Sequence, residues 1–234
     1  MGVPCANSNC HKKQILAVTD RPLTPGKHAV KNTRYQRQTT IRFLLWSAAI
    51  AGINGCGHNY DRLPDEQQQA VASLRSHGSE VMVNGQHAVW WIHPNHLSTE
   101  QMSDADMPQV GLFKNLERLS LFETKVTDAG LHELRGLTQL DTLTLSGTNI
   151  SSAGLLNLAP LKNLKRLYLD DTSINDEGLT HLKGLENLAY LDLNGTSVTD
   201  KGVETLAAAL KRLKDGLNKQ RGSDDQLPEC NIQR

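Results

Sequence analysis

Residues 164–187 read LKRLYLDDTSINDEGLTHLKGLEN, and the same register recurs on both sides of them at a period of 24. The copies are LERLSLFETKVTDAGLHELRGLTQ from Leu116, LDTLTLSGTNISSAGLLNLAPLKN from Leu140, and LAYLDLNGTSVTDKGVETLAAALK from Leu188. Four copies in phase mean that one supersecondary unit is stacked on itself, and every other feature of the chain is read against that repeat.

Each column of the repeat has a physical reading. Leu119 and Leu121, Leu143 and Leu145, Leu167 and Leu169, and Leu191 and Leu193 alternate with polar residues at period two, which predicts a short, half-buried strand in every unit. Thr124, Thr148, Thr172 and Thr196 stand where the chain leaves the strand, and a threonine ladder bonding otherwise unpaired backbone groups is expected along the convex-side turn. After Val126, Ile150, Ile174 and Val198 come TD, SS, ND and TD, short polar pairs expected to cap the first amides of a helix. The inward face of that helix is predicted to be Leu131 and Leu134, Leu155 and Leu158, Leu179 and Leu182, and Val203 and Leu206. Gly130, Gly154, Gly178 and Gly202 are expected to let neighbouring units approach closely.

A strand, a turn, a helix and the next strand make a right-handed crossover, so the strands are expected to be parallel with the helices on the other side. No unit buries both of its leucine faces alone, and stacking does it for them. The pattern LxxLxLxxTxVTDxGLxxLxxL, from Leu116 to about Leu210, resembles the ribonuclease-inhibitor-like leucine-rich repeats of many bacterial secreted proteins. The resemblance implies an α/β solenoid: a short right-handed βα horseshoe with a parallel sheet on its concave face and helices on its convex face. A degenerate copy is read upstream in Ile92, Leu97, Met102, SDAD, Met107 and Val110, with Asn95 in place of a core leucine and Pro94 in the strand. Residues 92–210 are thus assigned to one degenerate and four regular repeats.

An open stack exposes leucines at its ends and needs caps. Residues 56–91 are assigned to a linker and an amino-terminal cap. A helix is predicted over Asp65 to His77, with Ala70, Val71 and Leu74 on one face and Gly78 at its end. VMVNGQHAV then reads as a hairpin with Asn84-Gly85 as a two-residue turn, and Trp90 and Trp91 are expected to help cover the first repeat. At the far end Leu206, Leu210, Leu213 and Leu217 continue a helix where a strand is due, and residues 211–234 are assigned to the end of that helix and a loose tail, RGSDDQLPECNIQR.

The formal net charge is zero, but residues 1–55 hold eight Lys or Arg and the single acid Asp20, leaving 17 bases against 24 acids in the remainder. An acidic body argues against nucleic acid as a partner. IRFLLWSAAIAGI, from Ile41 to Ile53, follows the basic KNTRYQRQTTIR and precedes NGC. That order reads as a signal peptide, within a leader and signal segment of residues 1–55, and the apolar run is shorter than the roughly 20 residues a spanning helix needs. Ile53-Asn54-Gly55-Cys56 resembles the lipobox of bacterial lipoproteins. The resemblance implies that the mature chain starts at a lipidated Cys56 and is exported to the cell envelope, held on a membrane without spanning it. Residues 1–29 lack both periodicity and apolar composition, and initiation at Val30 would leave a signal of ordinary length.

No catalytic residue, metal ligand or cofactor site is expected. The four cysteines, Cys5, Cys10, Cys56 and Cys230, fall outside the regular repeats and lack zinc-ligand spacing. Pro94 stands between His93 and His96 and forbids a regular helix that would pair them, and Asp170-Asp171 reads as a solvated strand end. A nucleophile elbow, a phosphate loop and an HExxH are all absent from the sequence.

A horseshoe turns to its concave side the residues that alternate with the buried leucines: Arg118, Ser120 and Phe122; Thr142, Thr144 and Ser146; Arg166, Tyr168 and Asp170; Tyr190, Asp192 and Asn194. Tyr168 and Tyr190 fall on neighbouring strands about 4.8 Å apart, with Arg118 and Arg166 on the same face. Tyrosine and arginine are enriched at interface hot spots, so this face is expected to bind a peptide or a protein loop. The other reading, from a different class, is a structural cell-envelope protein whose repeats self-associate.

Overall fold

The computed structural model describes residues 59–94, 101–221 and 228–234. The leader of residues 1–55, the lipidation at Cys56, and Asn95, His96 and Leu97 lie outside the described residues. Among the described residues seven strands form one sheet in chain order: β1 (Ser79–Val83), β2 (Val89–Pro94), β3 (Arg118–Ser120), β4 (Thr142–Thr144), β5 (Arg166–Tyr168), β6 (Tyr190–Asp192) and β7 (Asn231–Gln233). β1 runs antiparallel to β2, and every later pair is parallel. The strands pair in repeat register, so that Leu119, Leu143, Leu167 and Leu191 make one row and Arg118, Thr142, Arg166 and Tyr190 another.

Beyond the three-residue strands the ladder goes on. The amides of Leu121, Leu145 and Leu169 donate to the carbonyls of Thr144, Tyr168 and Asp192 at 2.8–2.9 Å, one unit along. Both leucines of each strand are therefore held by a neighbour and buried beneath the sheet.

The convex side differs in kind from the expected row of helices. The first regular unit has a 3-10 helix at Gly130–Gly136, the second one at Gly154–Leu158, and the third a single α-turn followed by a 3-10 turn at Thr180–Leu182. The cause is the leucine spacing. Leu131, Leu134, Leu137 and Leu140 are each three apart and all fully buried, as are Leu155 to Leu164 and Leu179 to Leu188 in the same pattern. A 3-10 helix has three residues per turn, so this spacing keeps one inward row, whereas α-geometry would rotate the leucines out of line. In the last unit Val203, Leu206, Leu210, Leu213 and Leu217 alternate steps of three and four, the α-period, and that unit forms a 22-residue α-helix. The α-helices in chain order are α1 (Asp65–Ser76), α2 (Met107–Gly111), α3 (Asp176–Leu179) and α4 (Asp200–Arg221).

The polar pairs at the start of each convex turn divide their work. The first member caps its own unit: Thr127 and Ser151 accept from the amides two residues on, and Asn175 caps Glu177. The second member reaches into the next unit, which the capping expectation did not include. Asp128 accepts from the amide and hydroxyl of Ser151 at 2.8 and 2.6 Å, and Asp176 from those of Thr199 at 2.7 and 2.6 Å. Asp104 does the same for Thr127 and adds the Gly130 amide at 3.1 Å. The Thr199 hydroxyl and amide hold the Asp176 carboxyl below the usual carboxylate range. These cross-unit side chains explain the glycine column: a Cβ on Gly154 would stand 2.2 Å from Asp128 Oδ1, one on Gly202 2.1 Å from Asp176 Oδ1, and one on Gly178 2.8 Å from Ser152 Oγ, the serine that takes the aspartate's place in the second unit. The room is kept for the polar side chain of the preceding unit.

The threonine ladder bonds within units. Thr124, Thr148 and Thr172 are buried and donate to the carbonyls of Leu121, Leu145 and Leu169 at 2.5–2.7 Å, and Thr196 repeats the bond to Leu193. These carbonyls lie where the chain turns out of the sheet, and the hydroxyls pair them. Just before each threonine the backbone is left-handed, with φ between 53° and 71° at Glu123, Gly147, Asp171 and Gly195.

At the amino-terminal end α1 buries Ala70, Val71 and Leu74 and stops at Gly78, whose φ is 76°. The hairpin of β1 and β2 forms, but not around a two-residue turn. Asn84 to Ala88 make a longer loop in which Asn84 Oδ1 accepts from the amides of Gln86 and Ala88. The asparagine bonds its own loop, the competing use of Asn in turns. β2 is also the strand of the degenerate repeat, with Met102, Met107 and Val110 buried behind it, but its register is corrected: Ile92 pairs with Leu119, the column expected for Asn95, and the chain from Ile92 to Met102 is longer than that from Leu119 to Val126.

At the other end the expected loose tail is corrected over its last residues. Residues 231–233 return as β7 and pair with β6, with Ile232 in line with Leu191. Lys214 of α4, 5 % exposed, donates from Nζ to the carbonyls of Leu188 and Pro228 at 2.5 Å each, tying the helix to the strand's approach. Arg234 then pairs with Asp200, the aspartate that continues the ladder's column. Edge pairing and two buttressed carbonyls outweigh the lack of any apolar pattern in this segment.

Candidate partner-binding face

The parallel register determines which side chains share the concave face. Trp91 (β2), Arg118 (β3), Thr142 (β4), Arg166 (β5) and Tyr190 (β6) form one row across the strands. Ser120, Thr144, Tyr168 and Asp192 form the next. Phe122, Ser146, Asp170 and Asn194 follow just past the strand ends.

Most of these residues are partly exposed, as the period-two reading expects. Two are not. Ser146 is 3 % exposed and donates to Asp170 Oδ1, and Asp192 is 1 % exposed. Asn194 donates to Asp192 through its backbone amide at 3.1 Å and through its side chain, and the Tyr190 hydroxyl lies 3.4 Å from the same carboxylate. Asp192 therefore lies on the concave side but supports its neighbours and is closed to a partner, a correction to the expected binding set. The alternation puts its Cβ outward; the stacked side chains above it remove it from water.

Tyr168 and Tyr190 meet with ring centroids 5.2 Å apart and planes tilted by 45°, within the range of favourable aromatic pairs. Burial raises the Tyr168 hydroxyl above its ordinary pKa, and burial likewise raises the Asp170 carboxyl against the opposing bond from Ser146. Arg166 is braced: its Nε and Nη2 donate to Thr142 Oγ1 at 3.0 and 2.8 Å, and Asp141 lies 3.7 Å away. The face thus carries a rigid aromatic pair beside a held guanidinium, flanked by hydroxyls.

Sequence reasoning left out the flanks of this face. Trp91 joins the Arg118 row and stacks with His93 at 4.6 Å, while Trp90 sits 5.9 Å from Trp91 and 5.4 Å from the Arg118 guanidinium. The repeat period hid them, because it puts Pro94 level with Arg118, whereas the strands pair Trp91 with it. On the far flank the Tyr190 hydroxyl donates to Gln233 of β7 at 2.8 Å, and nothing in the sequence marks that contact. Among the described residues no three His, Cys, Asp or Glu side chains are placed to hold a metal ion, and no helix is long and apolar enough to cross a membrane.

Parallel strands in 24-residue register over convex 3-10 turns define a leucine-rich-repeat solenoid of the α/β class. A leucine-rich-repeat family model matches residues 184–207. No curated protein matches the chain. Among solved structures it is similar to an internalin of Listeria monocytogenes, at 24 % identity and a TM-score of 0.38 over 43 % of this chain and 28 % of that one. It is also similar to internalin C2 of the same organism, at 28 % identity and a TM-score of 0.40 over 47 % of this chain and 46 % of that one. A third similar structure is the leucine-rich-repeat ectodomain of the receptor kinase SOBIR1 from Arabidopsis thaliana, at 15 % identity and a TM-score of 0.41 over 61 % of this chain and 88 % of that one. The chain spans less than half the length of either internalin.

Proposed function

We propose that this chain is an exported interaction module, anchored to a membrane through lipid on Cys56, that binds a peptide or protein loop on the concave face of its repeats. The observation that carries the reading is the Tyr168–Tyr190 pair at 5.2 Å, with Arg166 braced in the adjoining row on the same side of the sheet. Rigid aromatics lose little entropy on binding and dominate many interfaces. Five strands at about 4.8 Å give a strip on the order of 20–25 Å wide, the scale of an extended segment or a single loop. The reading asks for no bond-making chemistry.

The test separates binding from folding. A partner is recovered by pull-down with the soluble form from Gly57 onward and its affinity measured by calorimetry. Tyr168→Ala is expected to weaken it by about 2 kcal/mol, with a change in stability of about 1 kcal/mol from the lost ring pair. Lys183→Ala with Glu186→Ala, on the convex side, is expected to change neither. Loss confined to the convex variant would move the site off the concave face, and concentration-dependent oligomers without a ligand would favour a self-associating envelope protein. The anchor is tested separately: Cys56→Ser is expected to release the protein from the membrane fraction, and unchanged fractionation would remove that part of the reading.

A further inference from the structure

Arg118 and Arg166 occupy the same position of their repeats and stand in one row of the concave face, with Thr142 between them. Arg166 has its acceptors. Arg118 does not: its Nε is buried without a hydrogen-bond partner, and it enters no ion pair among the described residues. The buried Nε is closed to a ligand, but the side chain as a whole is partly exposed and its charge has no carboxylate of its own, so an acid from outside would meet its outer nitrogens. The guanidinium is also positioned. It lies 5.4 Å from the Trp90 ring, on the strand that also carries Trp91, within the range of a cation–π contact.

We propose that Arg118 is the subsite that takes a carboxylate, from an Asp or Glu residue of an extended peptide lying across the concave face. The inference rests on the concave-face reading and names the partner's chemistry there. A guanidinium fork matches a carboxylate in two parallel hydrogen bonds, and the indoles beside it exclude water from that pair. The neighbouring side chains on β3 and β4, Ser120, Thr142 and Thr144, are neutral, and the Asp141 carboxylate, which accepts from the Thr142 hydroxyl at 2.6 Å, is shared with Arg166 at 3.7 Å. A polyanion such as nucleic acid is disfavoured, because the partly exposed Asp170 stands on the same face two strands away. One acid at the Arg118 end, followed by apolar or basic residues toward β5 and β6, is the complementary pattern.

The probe is a randomised dodecapeptide library displayed on phage and selected on the full chain, followed by calorimetry with the synthetic peptides recovered. Peptides carrying an Asp or Glu are expected. Changing that residue to its amide is expected to weaken binding about tenfold to a hundredfold on the wild type. On Arg118→Gln the same peptide change is expected to make little difference, because the two changes remove one interaction. Arg118→Lys, which keeps the charge but lacks the fork, is expected to bind nearly as poorly as Arg118→Gln. Full affinity in Arg118→Lys would overturn recognition by the fork. Peptides that weaken on Tyr168→Ala but ignore both Arg118→Gln and the loss of their own acid would overturn this inference and leave the concave face standing. Selection of no peptide, or of peptides indifferent to both Tyr168→Ala and Arg118→Gln, would overturn both readings. Thermal melts of each variant against wild type show that a lost affinity is not lost folding.

Discussion

At the amino-terminal end the stack is closed by a hairpin lying antiparallel to the first parallel strand, backed by α1 and its buried Ala70, Val71 and Leu74. At the carboxy-terminal end it is closed by a parallel strand, β7, that arrives after the long helix α4 and is held by two carbonyls on Lys214 and by the Arg234–Asp200 pair. The first cap is apolar and local in sequence. The second is polar and joins residues far apart in the chain. A hairpin can form from neighbouring residues before the stack exists, whereas β7 has no register until β6 offers it one. The two ends are thus expected to differ in the order and strength with which they open.

The largest effect belongs to neither end but sets the scale for both. Leu169 is fully buried in the middle of the stack, and Leu169→Ala is expected to cost roughly 2–5 kcal/mol in urea melts. Ile232 of β7 is partly exposed, so Ile232→Ala is expected to cost clearly less and to leave the main transition in place. Equal losses would mean that the carboxy-terminal cap folds as one body with the centre.

Next comes the aspartate ladder that joins the regular units. Gly154→Ala puts a methyl carbon into the place of Asp128 Oδ1 and is expected to cost about 1–3 kcal/mol as overpacking. Adding Asp128→Ala is expected to recover part of that loss, so the double variant should be less destabilised than the two single changes summed. Strict additivity, measured by chemical denaturation, would show that the glycine serves something other than the carboxylate.

Lys214→Met tests the polar cap itself. It keeps the apolar stem but leaves the Leu188 and Pro228 carbonyls without their donor, at about 1–3 kcal/mol. The loss is expected to be local: hydrogen exchange at the Asn231 and Leu193 amides should quicken while Leu143 and Leu167 keep their protection. Burial also lowers the Lys214 pKa below the ordinary lysine value. Its folded value is thus depressed, so its charged form opposes folding, and the opposition fades as pH rises from the folded value toward the unfolded one. The carboxy-terminal cap should accordingly tighten at alkaline pH in the wild type and lose that trend in Lys214→Met.

The smallest effects come from two carboxylates of one repeat that titrate in opposite senses. The Asp176 carboxyl is lowered by Thr199, so its contribution is present above the unfolded carboxyl pKa and is lost as pH falls through the folded value. The Asp170 carboxyl is raised by burial, so its ionisation opposes folding, and that opposition is relieved as pH falls through its raised value. Asp176→Asn and Asp170→Asn should shift the acid limb of the stability curve in opposite directions, and shifts of the same sign would contradict the assigned environments.

Much of this fold is legible in the chain. The period-two leucines place the strands and the repeat length places the register, because a parallel stack leaves equivalent residues of successive units side by side. The steps of three against steps of three and four even tell the 3-10 turns from α4, although amphipathicity alone suggests a helix in both. The outward set that contains Arg166, Tyr168 and Tyr190 follows from alternation, which is a local property of the backbone. What the sequence determined by itself is therefore whatever repeats, since each unit's pattern states both its own conformation and its neighbour's position. Tertiary structure alone decided the rest: that Asp128 and Asp176 bond across units, that Asp192 lies closed beneath its neighbours, that Arg118 has indoles but no acceptor, and that residues 231–233 become a strand. Each of these depends on groups distant in sequence whose partners are single side chains or an unpaired sheet edge, and such partners leave no period to read.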